Sequence, residues 1–240
     1  MSKHVFAFYK ENISKLIKDN HLELKDKTLW QRLTKVTRLK SGEELILFDD
    51  KINIKCSLNK ESLSNNLVSV KISNQSNNES INPKIILLMP IIKKDQFEYV
   101  TYVAAQLGIT EIIPIETEKT KKNFLNDKEY DRLKKIMISA CEQSKNFVPP
   151  KLASFKKLKD LEIPQSLKIC FLEEGPNLHH ELGKKVQNIT LILGAEGGLT
   201  KNEIDFLKQN NFEFRKLSST ILRSQEAAII GMGIVRSLTS

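Results

Sequence analysis

From residue 84 onward the chain alternates two kinds of segment, and that alternation constrains the fold more than any other feature. Runs of strand length that are apolar but for Glu111, Lys168 and Thr190, IILLMP, EIIPI, KICFL and ITLIL, are separated by longer stretches with helical spacing. A strand that is apolar on both faces needs cover on both faces, which a parallel sheet with helices on either side supplies. Residues 95–107 place Phe97, Val100, Val103, Ala104 and Leu107 on one helical face, and Gly108 suits the C-terminal end. Residues 127–145 repeat the pattern with Leu133, Ile136, Met137 and Ala140, and a third helix is predicted over 177–186. Thr200 and Glu203 form a T-x-x-E capping box that starts a fourth, and a last helix covers 225–238. The fold class predicted is α/β.

The first part of the chain reads differently. Short apolar runs, HVFAFY, LTKVTRLK, ELILFDD, INIKCSL and LVSVKIS, alternate with polar breaks, as in a small β domain over residues 1–73. The polar stretch SNQSNNESINP has no periodicity and fits a linker over 74–83, which leaves 84–240 to the α/β domain. A chain of 240 residues has room for one large core beside a small one. Its formal net charge of +9, spread over both parts, favours an anionic partner such as nucleic acid. Cys56, Cys141 and Cys170 are far apart, with no C-x-x-C pair, so neither a disulfide framework nor a zinc site is expected. His179 and His180 adjoin Glu181 without further ligands, so no metal is expected there. No apolar run is long enough to cross a membrane, and the expectation is a soluble cytoplasmic protein.

The run LILGAEGGLTKNE puts a glycine loop directly after an apolar strand and before a capped helix, where open α/β sheets bind ligands. Two readings stay open: Gly194, Gly197 and Gly198 serve a ligand, or they only permit a tight turn. The loop lacks the G-x-G-x-x-G of dinucleotide folds and the Gly-Lys-Ser/Thr of a P-loop. Glu196 in its middle repels phosphate, so a ligand without phosphate is the better match. A second loop, from Leu217 through Ser218, Ser219 and Thr220 to Ile221, Leu222 and Arg223, precedes the last helix. The two loops can share one pocket, or Ile221 and Leu222 can be core anchors.

The pairing of LGAEGGLTKNEIDFL with LSSTILRSQEAAIIG resembles the bacterial 16S ribosomal RNA uracil-N3 methyltransferases of the SPOUT superfamily, whose pattern is roughly GPEGG…E followed by LG…ILR-T-E-T-A. PIIKKDQFEYVTYVAAQLGITEIIPIETEKT, ACEQSKNFVPP and KVTRLKSGEELILFDD are similar to further segments of that family, in the same order. Departures are Gln106, Lys119, Asn146, Ala195, Ser218 and Gln225, where the family has glutamate, arginine, arginine, proline, glycine and glutamate. The resemblance implies a SPOUT-type trefoil-knotted parallel-sheet domain preceded by a PUA-like β-barrel, and a homodimer. It implies S-adenosylmethionine held by Leu172, Glu173, Leu193, Gly194, Ala195, Glu196, Gly197, Gly198, Leu217, Ser218, Ile221 and Leu222. It further implies methylation of a uridine N3 in 16S rRNA of the small ribosomal subunit, uridine 1498 by resemblance.

Uridine N3 carries a proton at neutral pH, so its methylation needs a base or an anion stabiliser. Glu196 is the candidate base, unless it caps the helix at Thr200, and Arg223 the candidate stabiliser. Candidate RNA-facing cations are Lys35 and Arg38 in the first domain and Lys93, Lys94, Lys119, Lys121 and Lys122 in the second. Two other readings compete: an RNA-binding or assembly protein of the same fold without the chemistry, and a ribose 2′-O-methyltransferase, whose Asn-x-Ser helix start SQEAA does not match.

Overall fold

The protein is described as a computed structural model covering residues 5–63, 66–120, 124–178 and 187–239. Two compact units form: Met1–Glu79 with Cys141–Val148, and Ser80–Ala140 with Pro149–Ser240.

The first unit holds one six-stranded sheet built from β1 (Phe6–Tyr9), β2 (Ile17–Lys18), β3 (His21–Lys25), β4 (Glu44–Phe48), β5 (Ile52–Leu58) and β6 (Leu67–Asn77). The order is β1-β4-β5-β6-β3-β2, with β1 and β4 parallel and every other pair antiparallel. Along β5 alternate residues Ile52, Ile54, Cys56 and Leu58 are buried, joining Phe8, Leu22, Leu45, Leu47, Val68 and Val70 in one core. β6 runs to Asn77, into the polar stretch read as linker, because pairing with β5 needs only backbone groups.

LTKVTRLK is not a strand. The short helix α1 (Lys27–Gln31), capped by the Asp26 carboxylate on Leu29 N at 2.9 Å, runs on into a π-helical turn, Arg32–Val36. Leu33, Val36 and Leu39 are spaced by three, not two; Leu33 and Leu39 are buried while Val36 faces water. Thr34 and Thr37 hydroxyls bond back to the carbonyls of Trp30 and Leu33, and Arg38, at φ 54°, ends the turn. The strands of this unit that sequence reading misses are β2 and β3, two and five residues long.

Two carboxylates brace this unit. Asp49, 3% exposed, accepts from the amides of Lys51, Ile52 and Ser14 at 2.9, 2.9 and 3.2 Å. Burial pushes its acidity one way, but these amide bonds outweigh it and hold its pKa below the ordinary carboxylate value. Asp26 is shifted the same way: burial opposes, and Leu29 N and Lys10 Nζ prevail. A lowered folded pKa gives stability that is present above about pH 4 and lost as pH falls through the folded value. Asp49→Asn is expected to cost this unit about 2 kcal/mol at neutral pH and to flatten its loss of stability below about pH 4. Urea unfolding across that range checks it.

The second unit contains β7 (Lys84–Pro90), α2 (Lys94–Gln106), β8 (Glu111–Glu116), α3 (Asp127–Ser144), β9 (Lys151–Leu152), β10 (Lys156–Lys157), β11 (Leu167–Phe171), β12 (Asn188–Leu193), α4 (Lys201–Gln209), β13 (Glu213–Arg215) and α5 (Ser224–Thr239), with the last turn of α3 counted in the first unit. Its strands are all parallel in the order β10-β8-β7-β12-β11-β13, with β9 also on β8. The apolar runs are thus strands covered on both sides. Leu88, Ile115, Cys170 and Ile192 pack with Leu199, Leu207 and Phe212 on one face. Phe97, Val100, Ala104, Ala228, Met232 and Val235 are among the buried residues of α2 and α5, which pack against each other, α5 also lying against β12. The predicted third helix lies mostly outside the described residues, while Asn177 makes an isolated bridge to Lys216. All three cysteines are buried and free, and burial raises each thiol to about 12.

Candidate functional site

From β7 the chain steps outward to β8, β9 and β10 on one side, then returns to place β12, β11 and β13 on the other. The direction reverses between β7 and β12, and in open α/β sheets the crevice for a ligand lies at the carboxyl ends of such strands. Leu193 at the end of β12 is in register with Phe171 at the end of β11, and Phe171 with Arg215 at the end of β13. The three segments singled out from sequence therefore leave the sheet level with one another, from adjacent strands.

Two of these segments are joined directly. Leu172 N donates to Arg215 O at 3.0 Å, Lys216 N to Pro176 O at 2.7 Å and Leu178 N to Lys216 O at 3.0 Å. Leu172 is half-buried and Glu173 exposed. The third segment is a tight turn in which Gly198 N donates to Ala195 O at 2.8 Å, with Gly198 at φ 71°. A Cβ on Gly194 would sit 2.8 Å from the Gly198 backbone, so the turn closes only around glycine. Leu193 and Ala195 are buried, and Glu196 stands exposed at the tip. Among the described residues no hydrogen bond or ion pair engages the Glu196 carboxylate.

Of the two readings of Glu196, the one in which it caps the following helix is ruled out. Thr200 caps α4 by accepting from Glu203 N at 3.3 Å, and Glu203 Oε2 accepts from Thr200 N at 2.8 Å, completing the predicted capping box. The other oxygen of Glu203 accepts from Glu118 N at 2.7 Å. Next to it Lys119 Nζ donates to Gly197 O at 2.7 Å and Leu199 O at 3.3 Å. The segment after β8 thus braces the glycine loop from the far side of β7. Sequence reading missed both braces. By sequence Lys119 is an RNA-facing cation and Glu203 a cap alone, and only the strand order brings them to the loop.

In the segment 216–223, Ser218 Oγ lies 2.9 Å from Thr220 Oγ1 and accepts from Thr220 N at 3.1 Å. Leu217, Ser218 and Leu222 are half-buried, whereas Ile221 is 78% exposed, so it is not a core anchor. Arg223 is exposed and its carbonyl opens α5 by accepting from Ala227 N at 2.8 Å. Of the other candidate cations, Lys35, Arg38, Lys93 and Lys94 are exposed. Lys35 Nζ lies 5.5 Å from the Trp30 ring and Lys94 pairs with Glu129 at 2.7 Å, while Lys121 and Lys122 lie outside the described residues. Trp30 itself packs on the first core and donates to Ser62 O at 2.7 Å. Among the described residues no cluster of His, Cys, Asp and Glu is suited to a metal ion, and no helix is long and apolar enough to cross a membrane.

Residues 79–236 match the RNA methyltransferase domain family. Over 233 residues the chain is 30% identical to the ribosomal RNA small subunit methyltransferase E of Rickettsia conorii, spanning 95% of this chain and 94% of that protein. The Bacillus subtilis protein of the same name is 26% identical over 85% of each chain. Among solved structures, the ribosomal RNA small subunit methyltransferase E from Neisseria gonorrhoeae, bound to S-adenosyl methionine, superposes with a TM-score of 0.83 over 98% of both chains at 23% identity. A Legionella pneumophila chain in complex with the cofactor SAM gives 0.83 over 98% of both at 25% identity. Matched over most of its length, the chain belongs to the RNA methyltransferase family, among the ribosomal RNA small subunit methyltransferase E proteins.

Proposed function

We propose that this protein is a cytoplasmic enzyme that uses S-adenosylmethionine to methylate N3 of one uridine in the 16S RNA of the small ribosomal subunit, uridine 1498 by resemblance. The observation that carries this reading is the level exit of three loops, 172–178, 194–199 and 216–223, from β11, β12 and β13 beside the reversal point of the sheet. These residues suit S-adenosylmethionine. The closed Gly194–Gly198 turn offers main-chain groups at close approach, exposed Ile221 offers an apolar surface to adenine, and Glu196 deters a phosphate ligand while favouring a cation. Leu172, Glu173, Leu193 to Gly198, Leu217, Ser218, Ile221 and Leu222 would hold it. When bound, it supplies an electrophilic methyl group on a sulfonium.

The protein's own part is to remove the N3 proton and hold the base. Glu196, unengaged at the loop tip, accepts that proton, and Arg223 stabilises the negative charge that its loss leaves on the uracil oxygens. Lys35, Arg38, Lys93 and Lys94, and by sequence Lys121 and Lys122, contribute phosphate contacts. The strand pairing in the first unit suits a PUA-like barrel, and the passage of 215–216 along 172–178 is where a trefoil knot would thread. A homodimer is favoured by α5, which keeps Ile230 39% exposed on a helix apolar nearly all round, and by Tyr99, 52% exposed on neighbouring α2.

Mass spectrometry of 16S RNA from a deletion strain tests the function. One N3-methyluridine should disappear and return with the wild-type gene; an unchanged RNA overturns the assignment. A second measurement tests the loop brace. Lys119→Met keeps the stem against Gly197 but removes the two donations, and is expected to weaken S-adenosylmethionine binding about fivefold, equivalent to about 1 kcal/mol for a partly exposed charged donor. Calorimetry reads it, and unchanged affinity dismisses the brace.

A further inference from the structure

A cavity of about 380 Å³ opens beside the glycine loop, walled by the Thr117–Thr120 turn, the segment 157–159 and the start of α4. None of the residues assigned to the cofactor lines it. Its size is that of a small-molecule pocket. The lining is chemically divided. Glu116 and Glu118 bring carboxylates, Lys157 and Lys159 bring ammonium groups, and Phe206 with Asn202 forms the α4 side. Among the described residues no ion pair engages any of these four charges, although both signs share one cavity. Glu203, the one buried carboxylate in the wall, is spent on Thr200 N and Glu118 N. Charges left free around an aromatic wall match a ligand carrying both donors and an anion.

A nucleotide is such a ligand: lysines take its phosphate, the aromatic ring packs against its base, and carboxylates accept from its donors. The carboxylates select among bases. Guanine presents N1–H and N2–H side by side, two donors for a carboxylate. Adenine and cytosine pair one amino group with an acceptor nitrogen, and uracil flanks its single N–H with two carbonyl oxygens that carboxylates repel. The cavity is therefore unsuited to the uracil that is methylated.

We propose that this cavity binds a guanine nucleotide of the RNA substrate near the target uridine, with Glu116 and Glu118 on its Watson–Crick edge, Phe206 against its ring and Lys157 and Lys159 at its phosphate. The inference rests on the RNA methyltransferase reading above. It is tested on the full chain by amide chemical shifts during titration with guanosine and uridine 5′-monophosphates, beside steady-state methylation of small ribosomal subunits. Guanosine monophosphate should shift amides of 116–120, 157–159 and 202–206 and should not be displaced by S-adenosylmethionine, whereas uridine monophosphate should leave those amides unshifted. Glu116→Gln should weaken guanosine monophosphate about tenfold and raise KM for subunits about tenfold, with kcat retained, the worth of one good base contact; Lys159→Ala should act in the same direction. Equal shifts by the two nucleotides, displacement by S-adenosylmethionine, or an unaltered KM in Glu116→Gln overturns the proposal, the last because it would leave a site for free nucleotide only. Absence of methylation by the wild-type protein would instead overturn the parent reading, since the nucleotide titration does not depend on it.

Discussion

Arg223→Ala is expected to lower kcat for N3 methylation about 10²–10³-fold, the usual loss when one preorganised donor to a developing anion is removed, with S-adenosylmethionine affinity and folding unchanged. Arg223 is exposed at the start of α5, and among the described residues no side-chain hydrogen bond or ion pair occupies its guanidinium. Removing it leaves no buried partner unsatisfied, so stability has little to lose. What it supplies is a planar fork of donors beside loop 216–223, suited to the two oxygens that share the charge once N3 is deprotonated. Arg223→Lys keeps the charge without the fork and should recover only part of the rate. Glu196→Gln separates the base from the anion stabiliser: its loss should shrink as pH rises, because hydroxide can replace the base, whereas the loss in Arg223→Ala should persist. Turnover in Arg223→Ala equal to that of wild type, read by primer extension or mass spectrometry, removes Arg223 from the chemistry.

How much of this was legible beforehand depends on where each residue's partner lies. β7, β8, β11 and β12 were readable because burial on both faces leaves few polar positions in the run, Lys168 and Thr190 being the interior ones. The start of α4 was readable because the capping box is local, three residues from end to end. The run LTKVTRLK misled because two buried leucines amid threonines and lysines fit a strand or a helical turn, and the threonine back-bonds that settle it follow from the backbone already formed. Glu142 could be read as part of a family motif but not for its task. Its carboxylate receives both Nη atoms of Arg32, at 2.9 and 2.6 Å, and Tyr9 N at 2.8 Å, which draws Cys141–Val148 into the first unit. No local pattern announces a partner so distant in sequence. The cofactor loops fall between these cases. Two of them are visible as loops and Leu172 and Glu173 enter through the family resemblance, but their common level depends on β11 lying between β12 and β13, an order that no stretch of sequence encodes by itself.

Arg236→Met should produce the largest loss of stability, about 3 kcal/mol in the second unit. Arg236 is 7% exposed near the end of α5, and its guanidinium donates to Leu107 O at 3.0 Å, Pro83 O at 3.0 Å and Gly108 O at 2.7 Å. Those carbonyls belong to the end of α2 and the approach to β7, so one side chain fastens three segments at the edge of a core. Burial lowers its pKa, yet arginine stays charged in this setting, and the carbonyl dipoles are what make the buried cation tolerable. Methionine fills similar space but leaves these carbonyls without a charged donor, and a lysine offers only a point charge that cannot span them. Part of the cost is returned because a charge no longer has to be desolvated, which keeps the expected loss near 3 kcal/mol instead of the sum of three charged hydrogen bonds. The expected signature is a lower urea midpoint for the second unit with S-adenosylmethionine affinity retained in the folded protein, since Arg236 lies more than three helical turns along α5 from Arg223. An unshifted midpoint would show that the guanidinium only sits where other packing has already fixed α5; a shifted midpoint with lost affinity would show that the anchoring of α5 reaches back to the loop before it.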